Sequence, residues 1–442
     1  MIKRILSFPV SAMASIAVNH VCADTVPLVK AGTLQDAVSA PGSVSSLTVS
    51  GPMDASDFDF INRNMPNLVT IDLEGATIEE YSGSSVLTGY STSPANTLPA
   101  YGLHGMKLTS VALPASVATL GEGSLAGISA TTLSLPSVTT VGDGAFAGSV
   151  NLVSVALSDD AVTLGKLAFA GCSSMASVTL NADRLPDGAF KNCTSLSAVS
   201  MNSALESIGA EAFMGCTSLE SFPFGESLAS IGDGAFEGSG LKKADMSACA
   251  ALSSVGAWAF AKCAGLESVV LPESVQLIGQ GAFFADSALS SVVLPSGIKK
   301  VEDFAMTGTS ELSDGNVVPA DTESIGRYAY KGMSRMERVV LPSGLTYIGD
   351  NAMEGMDSLQ EIDVKALDDV PGLGQDVWLD VNQQDVSLLV ADAEIGSLYQ
   401  EAYQWKEFQI QIPSFVHAIV TGKSHTMTVG KDGSDGRTLV LA

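Results

Sequence analysis

The chain has 442 residues, of which 46% are hydrophobic but only 6% aromatic, and it carries a formal net charge of −26. So acidic a surface repels nucleic acid and anionic lipid at a distance, which argues against nucleic acid as a partner and favours solubility outside the cell or a partner with basic patches. Ala, Val, Leu, Gly and Ser dominate, as a thin core built from small layers requires.

Residues 1–23 read as a secretory signal. Lys3 and Arg4 give a positive start, Ile5 to Val18 is apolar, and Val21-Cys22-Ala23 is an A-x-A-like cleavage site that would leave Asp24 first. Loss of Lys3 and Arg4 then takes the net charge from −26 to −28. A lipid anchor on Cys22 is the second reading, which Asn19-His20-Val21 fits poorly. No other stretch approaches the roughly 18 apolar residues of a transmembrane helix. Residues 24–119 read as an N-terminal cap with degenerate repeats. Leu47-Thr-Val49 and Leu68 to Leu73 suit strands, Asp57 to Met65 suits a short helix ended by Pro66, and Tyr81–Tyr101 is a Ser/Thr/Tyr-rich insertion.

From Leu120 to Val364 a unit of about 23 residues repeats eleven times. Its anchors are Leu120, Val141, Leu164, Leu185, Ile208, Ile231, Val255, Ile278, Val301, Ile325 and Ile348, with spacings of 21 to 24 residues. Each unit has three parts. Leu-x-x-Val-x-Leu, as in Leu266 to Leu271, suits a short strand with Val269 and Leu271 inward. A short extended piece follows and ends in Ile/Val-Gly, where Gly can take positive φ and turn the chain. Gly-x-x-Ala-Phe-x-Gly then suits one or two helical turns, with Phe146, Phe169, Phe190, Phe213, Phe236, Phe260 and Phe283 stacked in a ladder. The fold class is therefore an α/β solenoid, in which each coil buries its apolar face against its neighbours. Copies at Leu185-Pro186 and Val301-Glu302 lack the Gly, so their turns are expected to differ.

Four of the six cysteines, Cys172, Cys193, Cys216 and Cys263, stand three residues after the Phe. Exchange with Ser, Met or Asp in other copies favours a buried packing slot over a disulfide between coils, and no CxxC or Cys/His spacing supports zinc. Residues 365–412 read as a C-terminal cap, with a strand at Ser387–Val390 and a helix over 395–408 whose Tyr399, Tyr403 and Trp405 close the last coil. Residues 413–442 are a tail or hairpin, with a turn at Lys431–Gly436.

Leu-x-x-Val-x-Leu-Pro followed by Ile-Gly-x-x-Ala-Phe-x-x-Cys resembles the BspA-like leucine-rich repeats of bacterial cell-surface proteins, directly over residues 103–364. Asp57–Leu73 and Tyr399–Phe408 resemble the flanking caps of such proteins from gut and oral bacteria. The resemblance implies a leucine-rich-repeat array, a place at the cell surface, and adhesion to host matrix proteins or to other bacteria. It brings no residue-level binding motif.

No chemistry stands out. Gly-x-Gly at Gly142/Gly144, Gly232/Gly234 and Gly279/Gly281 never extends to GxGxxG and recurs with the repeat. Gly422-Lys-Ser424 lacks the first Gly of a phosphate loop. His104, His417 and His425 are too scattered for a shared site. No catalytic residue, cofactor or metal is expected. The candidate binding face is instead the outward side of the strands: Ser154, Ser177, Thr179 and Ser200 in the earlier coils, then Glu220, Lys242, Lys243, Asp245, Glu267, Ser268, Ser290, Ser291, Glu337, Arg338, Glu361 and Asp363. It starts small and uncharged, becomes mixed in charge and lacks aromatic platforms, which favours an extracellular or cell-surface protein as partner. Two other functions stay open: an envelope structural scaffold without a soluble ligand, and a glycan-binding module of a nutrient-uptake system, resting only on exposed Tyr81, Tyr90, Tyr101 and Trp378.

Overall fold

The computed structural model describes residues 22–86, 90–201, 204–313, 317–413, 416–421, 424–429 and 437–440. Residues 1–21, most of the expected signal, and the turn expected at Lys431–Gly436 lie outside the described residues. The chain winds into a solenoid of about 16 turns of ~23 residues, more than the eleven legible in the repeat. The additional turns keep the strand pairing with the signature degraded: Pro99 and Leu103 stand where Gly and Phe would after Leu98, and after Leu373 Gly374 is kept but Trp378 replaces the Phe. Thr97–Leu98 precedes the first anchor strand and pairs with Thr119–Leu120, and Gly372–Leu373 follows the last and pairs with Tyr347–Ile348.

Two parallel ladders run along the stack. The first is made by Leu-x-x-Val-x-Leu, as where Lys243–Asp245, Ser268–Val270 and Ser291–Val293 pair in register. Alternation decides its faces: in Ser177–Leu180, Val178 and Leu180 are buried while Ser177 and Thr179 are exposed. The second ladder is made by the anchors and the residue before each. It breaks at two places, between Thr163–Leu164 and Arg184–Leu185 and between Leu277–Ile278 and Lys300–Val301.

Those breaks explain the glycine that follows the anchor. Gly142 does not take positive φ, contrary to the sequence expectation. A Cβ there would lie 2.8 Å from the Leu120 carbonyl oxygen, and the Gly142 N–H donates to that oxygen at 2.8 Å. Glycine is used for close approach of one coil's backbone to the next. Pro186 has no N–H to give, and Glu302 brings a side chain into the same space; the ladder fails at these two coils.

The Gly-x-x-Ala-Phe-x-Gly segment is not helical. A helix would bond every N–H four residues back. Here Ala145, Ala147 and Ser149 bond three residues back, while Gly144, Phe146 and Gly148 donate to Lys166, Ala168 and Ala170 of the next coil. The same three cross-coil bonds recur at every step from Tyr101 to Gly355, so this turn side is the unbroken spine of the solenoid. Alternating left-handed residues permit it, including Gly144 (φ 58°), Leu167 (φ 57°) and Trp258 (φ 58°). Helices flank the repeats instead, at Leu34–Ala37, Ala55–Asn64 and Ala393–Glu401.

Behind the spine the seven phenylalanines are fully buried, with ring centroids 4.9 to 5.8 Å apart at successive steps. The thiol slot lies beside them. Cys172, Cys193, Cys216 and Cys263 are buried and free, and each donates to the carbonyl of the Phe in the preceding coil at 3.1 or 3.2 Å. Ser149 fills the slot with its hydroxyl on the Leu125 carbonyl. Burial pushes the thiols of Cys172, Cys216 and Cys263 up to about 12, which keeps them protonated and unreactive.

The ends are closed differently. Asp54 caps Ala55–Asn64, and buried Asp57 accepts N–H groups from Gly32, Leu34 and Asp54, tying the first coils to the helix. At the other end Tyr399 and Trp405 are buried as expected, but Tyr403 is 74% exposed. The expected helix over 395–408 stops at Glu401, and a short 3-10 turn, Trp405–Glu407, follows. Val416–Thr421, Ser424–Val429 and Arg437–Val440 form an antiparallel sheet.

Candidate functional site

Most of the expected binding residues do lie outward on one side of the coils. Ser177, Thr179, Ser200, Glu220, Lys242, Lys243, Asp245, Glu267, Ser290, Ser291, Glu337 and Arg338 are exposed, while Ser154, Ser268 and Glu361 are half-buried. Asp363 is not part of the surface. It is 7% exposed, with its carboxylate 2.8 Å from Arg338 Nη2 and 3.1 Å from Lys365 Nζ. Alternation points it outward, but the Arg338 side chain of the preceding coil closes over it. Glu220 lies where its coil lacks a first-ladder strand, and Phe222 and Phe224 pack against Phe236 there.

Charge on this face is largely paired between coils. Lys242 Nζ meets Glu220 at 2.7 Å, and Arg338 Nε meets Glu361 at 2.6 Å. Glu361 and Asp363 hold the Arg338 guanidinium above its ordinary range, the first chiefly by its hydrogen bond. The Asp245 carboxylate accepts the Ser247 hydroxyl and N–H and is held below its ordinary range. Lys243, Glu267 and Glu337 have no ion-pair partner among the described residues. The face can therefore offer separated single charges on a ground of Ser, Thr and Ala. A groove of about 640 Å³ opens beside it between Ser110–Ala112 and Thr132–Ser134, where the first ladder also breaks.

The aromatic residues distribute otherwise than expected. Trp378 is buried against Trp405 and Phe408, with centroids at 5.3 and 5.1 Å, and is no surface platform. Tyr81 bonds the Ser84 carbonyl within its own hairpin. Tyr90 and Tyr101 converge on Glu122, which no motif or spacing singles out. Among the described residues no group of three or more His, Cys, Asp or Glu could hold a metal ion, and no helix is long and apolar enough to cross a membrane.

Comparison with known proteins agrees with this architecture. No curated protein sequence matches the chain. A leucine-rich repeat protein from Bacteroides ovatus superposes with a TM-score of 0.54 at 19% identity, over 85% of each chain, and shares the fold. A leucine-rich cell-surface protein of Faecalibacterium prausnitzii is 22% identical over 63% of this chain and 85% of that one, with a TM-score of 0.35. The pneumococcal vaccine antigen PcpA is 15% identical over 84% and 80%, with a TM-score of 0.38. The family model "BspA type Leucine rich repeat region" matches in six copies, over residues 96–184, 183–313 and 253–375. Proteins of this kind are commonly found at the cell surface, and leucine-rich-repeat families are generally non-catalytic scaffolds. The chain belongs to the BspA-type leucine-rich-repeat family.

Proposed function

We propose that the chain is exported and acts at or outside the cell surface as a non-catalytic, adhesin-like protein that binds other proteins along the strand face. The observation that carries this reading is the face itself. Coil after coil presents alternate residues to solvent, from Ser177 and Thr179 to Lys243 and Asp245, and no other described element covers them. Extended faces of stacked repeats suit recognition of large surfaces. Unpaired Lys243, Glu267 and Glu337 supply polarity to orient a partner, and such exposed charges act mainly on encounter rate and specificity.

Export rests on residues 1–23. The secreted protein is expected to begin at Asp24 by N-terminal mass analysis; an acylated Cys22 would replace that reading with a lipid-anchored one. Binding is tested by spotting extracellular-matrix proteins and host and bacterial polysaccharides on one array and probing with the purified protein at two salt concentrations. The reading predicts saturable binding to a protein spot that weakens with salt. Silence at every protein spot overturns it and leaves an envelope scaffold.

A further inference from the structure

The antiparallel hairpin of Tyr81–Val86 and Tyr90–Ser93 interrupts an otherwise parallel stack and brings Tyr90 against the coils that follow. The hydroxyls of Tyr90 and Tyr101 donate to the two carboxylate oxygens of Glu122, one to each. Tyr101 reaches because its successor in the next coil, Gly123, has no side chain; a Cβ there would lie 2.6 Å from the tyrosine ring. Between hairpin and coils a cleft of about 250 Å³ opens, lined by Ala55, Pro94 and Pro99 and by the polar groups of Tyr90, Thr92 and Glu122. Tyr90 remains 45% exposed at its edge.

Glu122 differs from its counterparts along the turn side. At the same repeat position Asp187 and Asp303 take a cation from a neighbouring coil, Lys166 and Arg327 respectively, while Asp143, Asp233 and Asp350 accept a backbone N–H of the next coil, from Lys166, Ala257 and Gln375. Among the described residues no cation pairs with Glu122; its partners are two neutral hydroxyls, Tyr101 first and then Tyr90, which hold it below the ordinary carboxylate range. Each of its oxygens keeps an acceptor site beyond the one a tyrosine uses. The cleft therefore combines an ionised acceptor, hydroxyl groups that both give and take, and apolar prolines in a space smaller than a drug-sized pocket of roughly 300–1,000 Å³. An anionic ligand is repelled. A basic side chain would find one carboxylate and, beyond it, only the hydroxyls and the apolar wall of Ala55, Pro94 and Pro99. A ring that alternates hydroxyl with C–H surface matches the lining throughout.

We infer that this cleft binds a neutral saccharide unit, its hydroxyls donating to Glu122 and its C–H face lying on Tyr90 and the prolines. None of these residues belongs to the strand face, so the site adds a second specificity to the molecule and does not depend on protein binding there.

Saturation-transfer NMR on the purified full chain, with methyl glycosides of glucose, galactose, mannose and N-acetylglucosamine and with tri-lysine as the basic control, tests this. At least one glycoside is expected to bind saturably, with affinity falling at least tenfold in Tyr90→Ala and in Glu122→Gln and unchanged in Lys243→Glu. Tyr90 sits on the exposed hairpin, so Tyr90→Ala leaves the coils folded. No glycoside binding, glycoside binding that survives both cleft variants, or Glu122-dependent binding of tri-lysine alone would each overturn the inference.

Discussion

A methyl group on Gly142 would meet the Leu120 carbonyl oxygen, the Gly121 carbon and the Glu122 nitrogen, all at 2.8 Å. One on Gly148 would meet nothing within 4 Å, although Gly148 has the left-handed φ of 70° and Gly142 does not. Gly148→Ala is therefore expected to cost about 1 kcal/mol of backbone strain. Gly142→Ala should cost roughly 2–4 kcal/mol, because the coils must part and lose a ladder bond. Urea unfolding midpoints of the two variants measure this, and the reverse order would show that the glycine serves the turn after all. The glycine's place was legible in the repeat, but its reason was not, since the atoms it avoids belong to the coil before it. Large residues at the left-handed position share that feature: Tyr101, Leu167 and Trp258 lie over Gly123, Gly188 and Gly281 one coil later. Asp57 offers a second test at this scale. Asp57→Ala strands three backbone N–H groups and is expected to destabilise by about 2–4 kcal/mol, read as a lowered unfolding midpoint; an unchanged midpoint would mean that water satisfies them.

At the scale of the element, the step from the coil at Ile278 to that at Val301 is the weakest described. The second ladder breaks there at Glu302, no strand of the first is present among the described residues between Ser291–Val293 and Arg338–Val340, and the Phe ladder ends at Phe283, leaving the spine bonds of Gly281, Phe283 and Ala285. On its outer side Trp258, Phe284, Phe304 and Tyr328 pack on one another across the step and staple it. Asp286 fills the thiol slot here, fully buried, accepting the Cys263 N–H at 2.8 Å with its other oxygen unpartnered. Burial pushes its carboxyl up to about 8. The folded protein thus keeps this proton between about pH 4 and 8 while the unfolded chain releases it, so its contribution to stability is complete at low pH and declines as pH rises through that window. Asp286→Asn is expected to gain roughly 1–3 kcal/mol over wild type at pH 8 relative to pH 4. Thermal melts of both proteins at the two pH values decide it, and a constant difference would contradict the buried acid. The slot itself was legible as a buried packing position. The cost of placing Asp in it was not, because that depends on which neighbours face the carboxyl.

Over the whole molecule, the repeat announced the solenoid because its register is kept for eleven copies, and it concealed the outer turns because Thr97–Leu98 and Gly372–Leu373 keep pairing where the Phe is replaced by Leu103 and Trp378. The binding face was legible through alternation, which needs only the strand. Alternation cannot show what closes over a side chain: Asp363 is covered by Arg338, and Lys242 is tied to Glu220. Lys243 therefore becomes the more informative of the two lysines. Lys243→Glu is expected to weaken a protein partner several-fold at low salt and little at high salt, whereas Lys262→Glu on the turn side, where the native lysine pairs with Glu237, should leave affinity unchanged. The most direct measurement of the central claim is the dissociation constant of wild type, Lys243→Glu and Lys262→Glu for the strongest protein ligand found on the array, at two salt concentrations. The account predicts loss in the strand-face variant alone. Equal affinity in all three, or loss only in the turn-side variant, would contradict a function carried by the strand face.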